Sequence, residues 1–161
     1  MSFSTPLLPP DTRIVYSTEE YADPADQLGA THYSYGFAAR KFLEAFRKLG
    51  LTPQRLTLPQ YYGGRGLPGS EDEANTRPIH LIFRSPENIR TITGCYNICC
   101  FAWEFGVLKT DTLAFEHPFR NQKRMLEYCQ EIWVPCTYSL EVLSEFGLKN
   151  VHYVPAPVPV P

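Results

Sequence analysis

The sequence predicts an α/β protein with a Rossmann-like, doubly wound and mostly parallel sheet that carries helices on both faces. Short runs of β-branched and aromatic residues alternate with helical patterns, which is typical of right-handed β-α-β units. Residues 97–103 are almost continuously apolar, as in a strand covered on both faces. A chain of 161 residues suffices for one such domain with its own hydrophobic core.

The elements follow from local patterns of apolar residues. Strands are predicted at residues 13–17, 55–58, 79–84, 97–103, 132–134 and 151–154. The clearest helix has one apolar face, formed by Ala39, Phe42, Leu43, Phe46 and Leu49. Ser34 is its expected N-cap and Gly50 its expected C-cap. Further helices are predicted to start at Ser85 and to cover residues 121–129 and 137–146.

Proline content predicts the domain limits. Residues 1–12 contain three prolines, and we expect them to form a disordered lead-in. Residues 13–154 form the predicted Rossmann-like domain. Residues 155–161 have a proline at every second position, which removes amide donors and predicts an extended linker stub. We therefore expect a second domain to be missing after this linker, or to be supplied by another polypeptide.

Composition excludes several classes of function. The formal net charge is −2, so we expect no binding to nucleic acid. The five cysteines have no regular spacing, which predicts reduced thiols in a cytoplasmic protein. Neither a signal peptide nor a transmembrane segment is expected. The acidic triplet at residues 71–73 is interpreted as a solvated loop, and no metal site is predicted.

Four segments resemble, in this order, the N-terminal half of GT-B glycosyltransferases of the family 4 type. They are the glycine-bearing helix start at residues 34–40, the Trp-Glu pair in residues 100–105, the Ile-Trp-Val-Pro turn in residues 131–139, and the Gly-to-Val-Pro run of residues 146–155. The resemblance covers nearly the whole chain. A glycine pair that the family often has after its first strand is replaced here by Ser17-Thr18-Glu19-Glu20.

The resemblance implies the acceptor-binding half of a retaining, nucleotide-sugar-dependent glycosyltransferase, inactive without a donor-binding domain or second polypeptide. Glu104 would be the catalytic residue. The residues implied to bind acceptor or donor are Ser34, Tyr35, Gly36, Phe37, Arg84, Ser85, Trp103 and His117. No cofactor and no metal are expected, and the nucleotide sugar is a substrate. The acceptor would be a glycan or a lipid-linked molecule, with peripheral contact to the inner membrane face through the basic cluster of Arg120, Lys123 and Arg124.

Other interpretations stay open. The chain could be a non-catalytic Rossmann-like interaction module, or another Rossmann enzyme that uses a dinucleotide or a methyl donor. The absence of a Gly-x-Gly-x-x-Gly motif after the first strand counts against a dinucleotide. Trp103 and Trp133 could belong to the core, and Arg84 could form a salt bridge. His80 and His152 are interpreted as structural histidines with satisfied hydrogen bonds.

Overall fold

The computed structural model of the protein describes residues 12–19, 33–68, 77–101, 106–111 and 117–158. Its strands are β1 (Ile14–Thr18), β2 (Gln54–Arg55), β3 (Ile79–Phe83), β4 (Tyr96–Cys100), β5 (Glu131–Val134) and β6 (Val151–Tyr153). Its helices are α1 (Tyr33–Lys48), α2 (Gln122–Glu127) and α3 (Thr137–Glu145). Among the described residues, no helix has the length and apolar character needed to cross a membrane.

The six strands form one open sheet in which every pair of neighbours is parallel. The order across the sheet is β2-β1-β3-β4-β5-β6. The chain therefore moves outward from β1 to β2, and then crosses back to the other side of β1 to build β3 and the remaining strands. The predicted Rossmann-like α/β class is confirmed.

Helices cover both faces of the sheet, as predicted. On one face, α1 packs Tyr35, Ala39 and Phe42 against Leu81 and Ile98 of the central strands. On the opposite face, Leu126 of α2 and Leu143 of α3 pack against buried residues of the neighbouring strands, namely Ile82, Cys99, Ile132 and Val134. The alternation of these side chains along β3 and β4 follows from the two-residue repeat of a strand.

Both longer helices end at a glycine in the left-handed region. Gly50 has φ of 78°, and the amides of Gly50 and Leu51 donate to the carbonyls of Arg47 and Phe46. Gly147 has φ of 80°, and an equivalent pair of hydrogen bonds closes α3. These bonds form Schellman motifs, which favour glycine because it carries no Cβ. The C-cap predicted at Gly50 is confirmed.

Three local predictions were wrong. Helix α1 begins at Tyr33, so Ser34 lies within its first turn and is not the N-cap. Leu49 is 74% exposed, because the helix has already ended where this residue would complete the apolar face. The helix predicted from Ser85 is only one 3₁₀ turn, Pro86–Asn88.

The 3₁₀ turn stops early because the following residues are needed elsewhere. Ile89 is buried in the core beside α2, whereas Ile92 is buried in a separate cluster with Val15 and Leu67. The side chain of Asn97 also binds both the N–H and the C=O of Ile92. These contacts hold the chain in an extended path that a continuing helix could not follow.

Candidate functional site

The strand order reverses between β1 and β3, and this reversal marks the place where open parallel sheets bind ligands. The connection after β1 leads to α1 on one face, and the connection after β3 leads to the opposite face. A crevice opens between such diverging connections at the carboxyl ends of the strands. Its borders in this protein are Thr18 and Glu19 at the end of β1, and Arg84 and Ser85 after β3.

The carboxylate of Glu19 bridges the two borders of this crevice. Its Oε1 accepts hydrogen bonds from the backbone N–H of Ser85 at 2.9 Å and from the Ser85 hydroxyl at 2.8 Å. A third bond, at 2.9 Å, comes from Nδ2 of Asn88. The negative charge of the switch point is therefore supplied by the protein itself. Sequence reasoning missed Glu19, whose only local signal was a carboxylate directly after a strand.

Arg84 and Ser85, which were predicted to bind ligand, both contact the end of β1. Nη2 of Arg84 donates to the carbonyl oxygen of Thr18 at 2.9 Å. Ser85 gives both of its donors to Glu19. These bonds join β1 to β3 at the edge where the predicted ligand would bind, so the pair shapes the crevice as well as bordering it.

A groove of 380 Å³ adjoins the crevice and contains the predicted residue His117. Its lining consists of Glu87, Asn88, His117, Phe119 and Arg120. Asn88 also donates to Glu19 and to the Ser85 hydroxyl, so it links the groove to the crevice. The structure thus brings His117 and Ser85 to the same edge of the sheet, where Asn88 lies between them.

The first turn of α1 lies at this edge too, because α1 starts beside the carboxyl end of β4. Ala38 and Phe42 line a small depression with Cys100 and Phe101, whereas Phe46, one turn later, lies beside the amino ends of β1 and β3. Of the four predicted residues in this turn, Tyr35 is buried in the core and is only 4% exposed. Ser34, Gly36 and Phe37 are half-buried.

Gly36 has room for a side chain. A methyl group added there would lie 3.8 Å from its nearest neighbour, a terminal nitrogen of Arg40. Phe37 lies below Lys41, whose Nζ is 5.8 Å from the centre of the ring. Steric contacts with the residues that the structure describes therefore do not explain a glycine at position 36.

Trp103 and Glu104 lie outside the described residues, as does the acidic triplet at residues 71–73. The last described residue before them is Phe101, whose amide donates to the carbonyl of Trp133 at 2.8 Å and extends the pairing of β4 with β5. Within the described ranges, no group of three or more potential ligands could hold a metal ion.

A buried polar network joins β1, β3 and β4 beneath the crevice. Oδ1 of Asn97 accepts from the Ile92 amide and lies 3.1 Å from Nδ1 of His80. Nδ1 therefore carries the proton, and Nε2 accepts from the Ser17 hydroxyl at 2.9 Å. Burial lowers the pKa of His80 from 6.5 to about 4, against the opposing effect of the Asn97 bond. The prediction of a structural His80 agrees with these contacts.

The structure agrees with some of the other interpretations of single residues and contradicts others. His152 is exposed on the edge strand β6 and is not a buried structural histidine. Trp133 is partly buried against the α1 cluster, and its Nε1 donates to Glu131 at 2.7 Å. In the predicted basic cluster, Lys123 pairs with Glu127 and Arg124 bonds the Tyr128 hydroxyl. Only Arg120 lines the groove.

Cys136 differs from the other four cysteines, which are all buried. It is exposed at the N-cap of α3, two residues after the carboxyl end of β5. The hydroxyl of Ser139 lies 3.2 Å from its sulfur. Hydrogen bonds from the side chain and backbone of Ser139 lower the pKa of this thiol.

Comparison of the chain with protein-family models, with curated proteins and with solved structures found no match in any of the three.

Proposed function

We propose that this protein is the acceptor-binding half of a retaining, nucleotide-sugar-dependent glycosyltransferase of the GT-B, family 4-like type. The observation that carries the proposal is the contrast between two neighbouring places at one edge of the sheet. The switch point is filled by the carboxylate of Glu19, whereas the groove beside it, lined by Asn88, His117 and Arg120, is open.

The hydrogen bonds of Glu19 argue against a phosphate at the switch point. The amide and the hydroxyl of Ser85, which could bind a phosphate there, both donate to Glu19. A dinucleotide or a nucleotide sugar bound there would have to displace this carboxylate. The donor's diphosphate would therefore lie on a partner domain, and this half would bind the acceptor.

The open groove has the chemistry that a sugar acceptor needs. Glu87 and Asn88 offer oxygen acceptors, and His117, Asn88 and Arg120 offer nitrogen donors. Hydroxyl groups both donate and accept, so such a mixed set suits a glycan better than an apolar ligand. Positioning one acceptor hydroxyl and excluding water are the tasks that transfer requires from this half.

In the proposed enzyme, other residues implied by the resemblance would take part in transfer or border the cleft. Glu104 would accept a hydrogen bond from the reacting hydroxyl, and Trp103 would stack on a sugar ring. Ser34, Tyr35, Gly36 and Phe37 would border the cleft from α1. The acceptor would be a glycan or a lipid-linked molecule reached from the cytoplasm, at the inner membrane face, and no metal would take part.

A non-catalytic interaction module is the second candidate, and exposed tyrosines favour it. Tyr61, Tyr128, Tyr138 and Tyr153 are each about half exposed or more, at 70%, 49%, 50% and 53%. Tyrosine is enriched at protein interfaces. A binding experiment with saccharides distinguishes the two candidates, because only the first requires a sugar to bind.

The test is a titration of the purified chain with mono- and disaccharides and with nucleotide sugars, followed by NMR. We expect a saccharide to shift the signals of Asn88 and His117 in a saturable way, and nucleotide sugars to leave the signals of Glu19 and Ser85 at the switch point unchanged. His117→Ala should remove the binding, whereas His152→Ala, at an exposed histidine on β6, should retain it. Saccharide binding that is equal in both variants, or none at all, would reject the proposal.

Turnover can be tested with a donor-binding domain added in trans. Glu104→Gln should abolish sugar transfer without changing the thermal stability of the chain. Full transfer by this variant would remove Glu104 from the catalytic role.

A further inference from the structure

Two open grooves meet at Phe119, beside the switch point. The first is the groove of 380 Å³ that contains His117 and Arg120. The second has a volume of 520 Å³, and it is lined by Arg90, Met125 and the half-exposed Tyr128, among others. Phe119 lines both grooves, so together they offer one surface on which an extended ligand can lie.

Phe119 also holds the side chains of Arg90 and His117 in place. The guanidinium carbon of Arg90 lies 4.0 Å from the centre of its ring, and the His117 ring lies 4.2 Å from it. Arg90 is further fixed because its Nη1 donates to the carbonyls of Glu87 and Ile89. Both contacts reduce the conformational entropy that these side chains would lose when they bind a ligand.

The hydrogen bonds of His117 define its outward donor. Its Nδ1 accepts from the amide of Phe119 at 3.3 Å, so Nε2 carries the proton of the neutral ring. Arg120 is exposed at the end of the 3₁₀ turn Pro118–Arg120, which His117 caps, and its amide donates to the His117 carbonyl. One short turn therefore presents two nitrogen donors to one groove.

The acidic groups of this edge are already engaged. Glu87 accepts a hydrogen bond from Nε2 of Gln122 at 2.5 Å, and Glu19 accepts three from Ser85 and Asn88. These bonds from neutral donors orient both carboxylates, which keep their negative charge. In the described part of the chain, neither Arg120 nor His117 forms an ion pair with a carboxylate.

We propose that Arg120 and His117 bind an anionic group on the acceptor, a phosphate or a carboxylate, while the sugar ring lies along Asn88 and Phe119. The inference rests on the proposed function, and it adds the chemical class of the acceptor. A guanidinium group binds either anion through paired N–H donors, and the neutral imidazole adds one N–H.

The experiment compares four ligands by calorimetric titration at low salt: glucose, glucuronate, glucose 6-phosphate and inorganic phosphate. We expect glucuronate or glucose 6-phosphate to bind at least about 10-fold more tightly than glucose, because charge-assisted hydrogen bonds exceed neutral ones. Their affinity should fall as salt is raised, while that of glucose should not. Whichever of the two anionic sugars binds more tightly identifies the anion.

Variants assign the effect to the groove. Arg120→Gln and His117→Gln should each weaken the anionic sugar by about 10-fold and leave glucose within about 2-fold. Arg47→Gln is the matched control, since Arg47 is exposed in the last turn of α1, at the opposite edge of the sheet. Near-wild-type melting temperatures will show that the variants are folded.

The outcomes separate this inference from the proposed function. If glucose and the anionic sugars bind equally, and Arg120→Gln changes none of them, the anionic class is wrong and a sugar-binding half remains. If inorganic phosphate binds as tightly as glucose 6-phosphate, the groove is an anion site and the glycosyltransferase assignment loses its support. If no ligand binds, both proposals fail.

Discussion

The hydroxyl oxygen of Ser17 lies 2.9 Å from Nε2 of His80, and both residues are fully buried. The pair connects two adjacent parallel strands, and Asn97 extends the network to a third strand through Nδ1 of His80. In the neutral ring that burial favours, Nδ1 donates to Asn97 and Nε2 accepts from the Ser17 hydroxyl. Protonation of His80 would place a charge in the centre of the sheet.

Stability should therefore fall as the pH falls. Burial lowers the pKa of His80 to about 4 in the folded state, from 6.5 in the unfolded chain. The unfolded state takes up its proton first, so the contribution of His80 is complete above pH 6.5 and is lost progressively down to about pH 4. The loss should reach about 3 kcal/mol in the free energy of unfolding.

Urea unfolding between pH 7 and pH 4 measures this loss, and NMR titration of the imidazole signals measures the pKa itself. His80→Gln should flatten the pH dependence over this range, whatever its own stability. His152→Gln, at the exposed histidine, should leave it unchanged. A His80 signal that titrates near pH 6.5 would contradict the network.

Two glycines should respond to alanine in opposite directions. Gly50 has φ of 78° and no atom near its missing side chain, so Gly50→Ala adds only backbone strain. We expect it to lower the free energy of unfolding by about 1 kcal/mol. Gly36 lies inside α1, where an added methyl group would make only an ordinary contact with Arg40 at 3.8 Å, and Gly36→Ala should raise this free energy by about 0.5–1 kcal/mol.

Denaturant unfolding of the two variants checks these signs, and a stabilised Gly50→Ala would contradict the C-cap. Gly36→Ala also tests the proposed function, because none of the described contacts requires this glycine. If saccharide binding weakens while stability rises, the ligand approaches the backbone closely at position 36.

The sequence predicted most of the fold because buried strands leave strong local patterns. The predicted strand at residues 79–84 differs from β3 (Ile79–Phe83) by one residue, since an apolar run covered on both faces has clear ends. The polar edge strand β2 is shorter than the predicted 55–58 and starts at Gln54. Its position is set by its pairing with β1, and the pattern of hydrophobic residues does not encode this pairing.

The candidate site was harder to predict because its contacts join distant residues. Ser85 was chosen as a ligand-binding residue from its place after a strand, but its partner Glu19 lies 66 positions earlier. His117 and Asn88 share a groove through the packing of two 3₁₀ turns. No local pattern in the sequence specifies either contact.

Cys136 should be the most reactive thiol of the protein. It is exposed, and hydrogen bonds from Ser139 lower its pKa, so a larger fraction is thiolate at pH 7.5. The other four cysteines are buried and react only after local opening, so we expect their alkylation to be roughly 100-fold slower or more.

Iodoacetamide labelling followed by mass spectrometry of the peptides measures these rates. Ser139→Ala should slow the alkylation of Cys136 at pH 7.5, because it removes a bond that stabilises the thiolate. Ser144→Ala, on the same helix with a bond to Leu140, should not. Equal rates in both variants would show that Ser139 does not control this thiol.

Glu19 should stabilise the carboxyl edge of the sheet more than its partial exposure suggests. Glu19→Ala leaves the Ser85 amide, the Ser85 hydroxyl and Asn88 without their acceptor, and should lower the free energy of unfolding by about 2 kcal/mol. Glu19→Gln keeps an oxygen that can accept these bonds and should cost about half as much, because only the charge is lost.

Glu44→Ala is the matched control, since its ion pair with Lys41 lies on the surface of α1 and contributes under about 0.5 kcal/mol. If urea unfolding gives equal losses for Glu19→Ala and Glu44→Ala, then Glu19 does not join β1 to β3, and the argument that it occupies the Ser85 donors of the switch point fails with it.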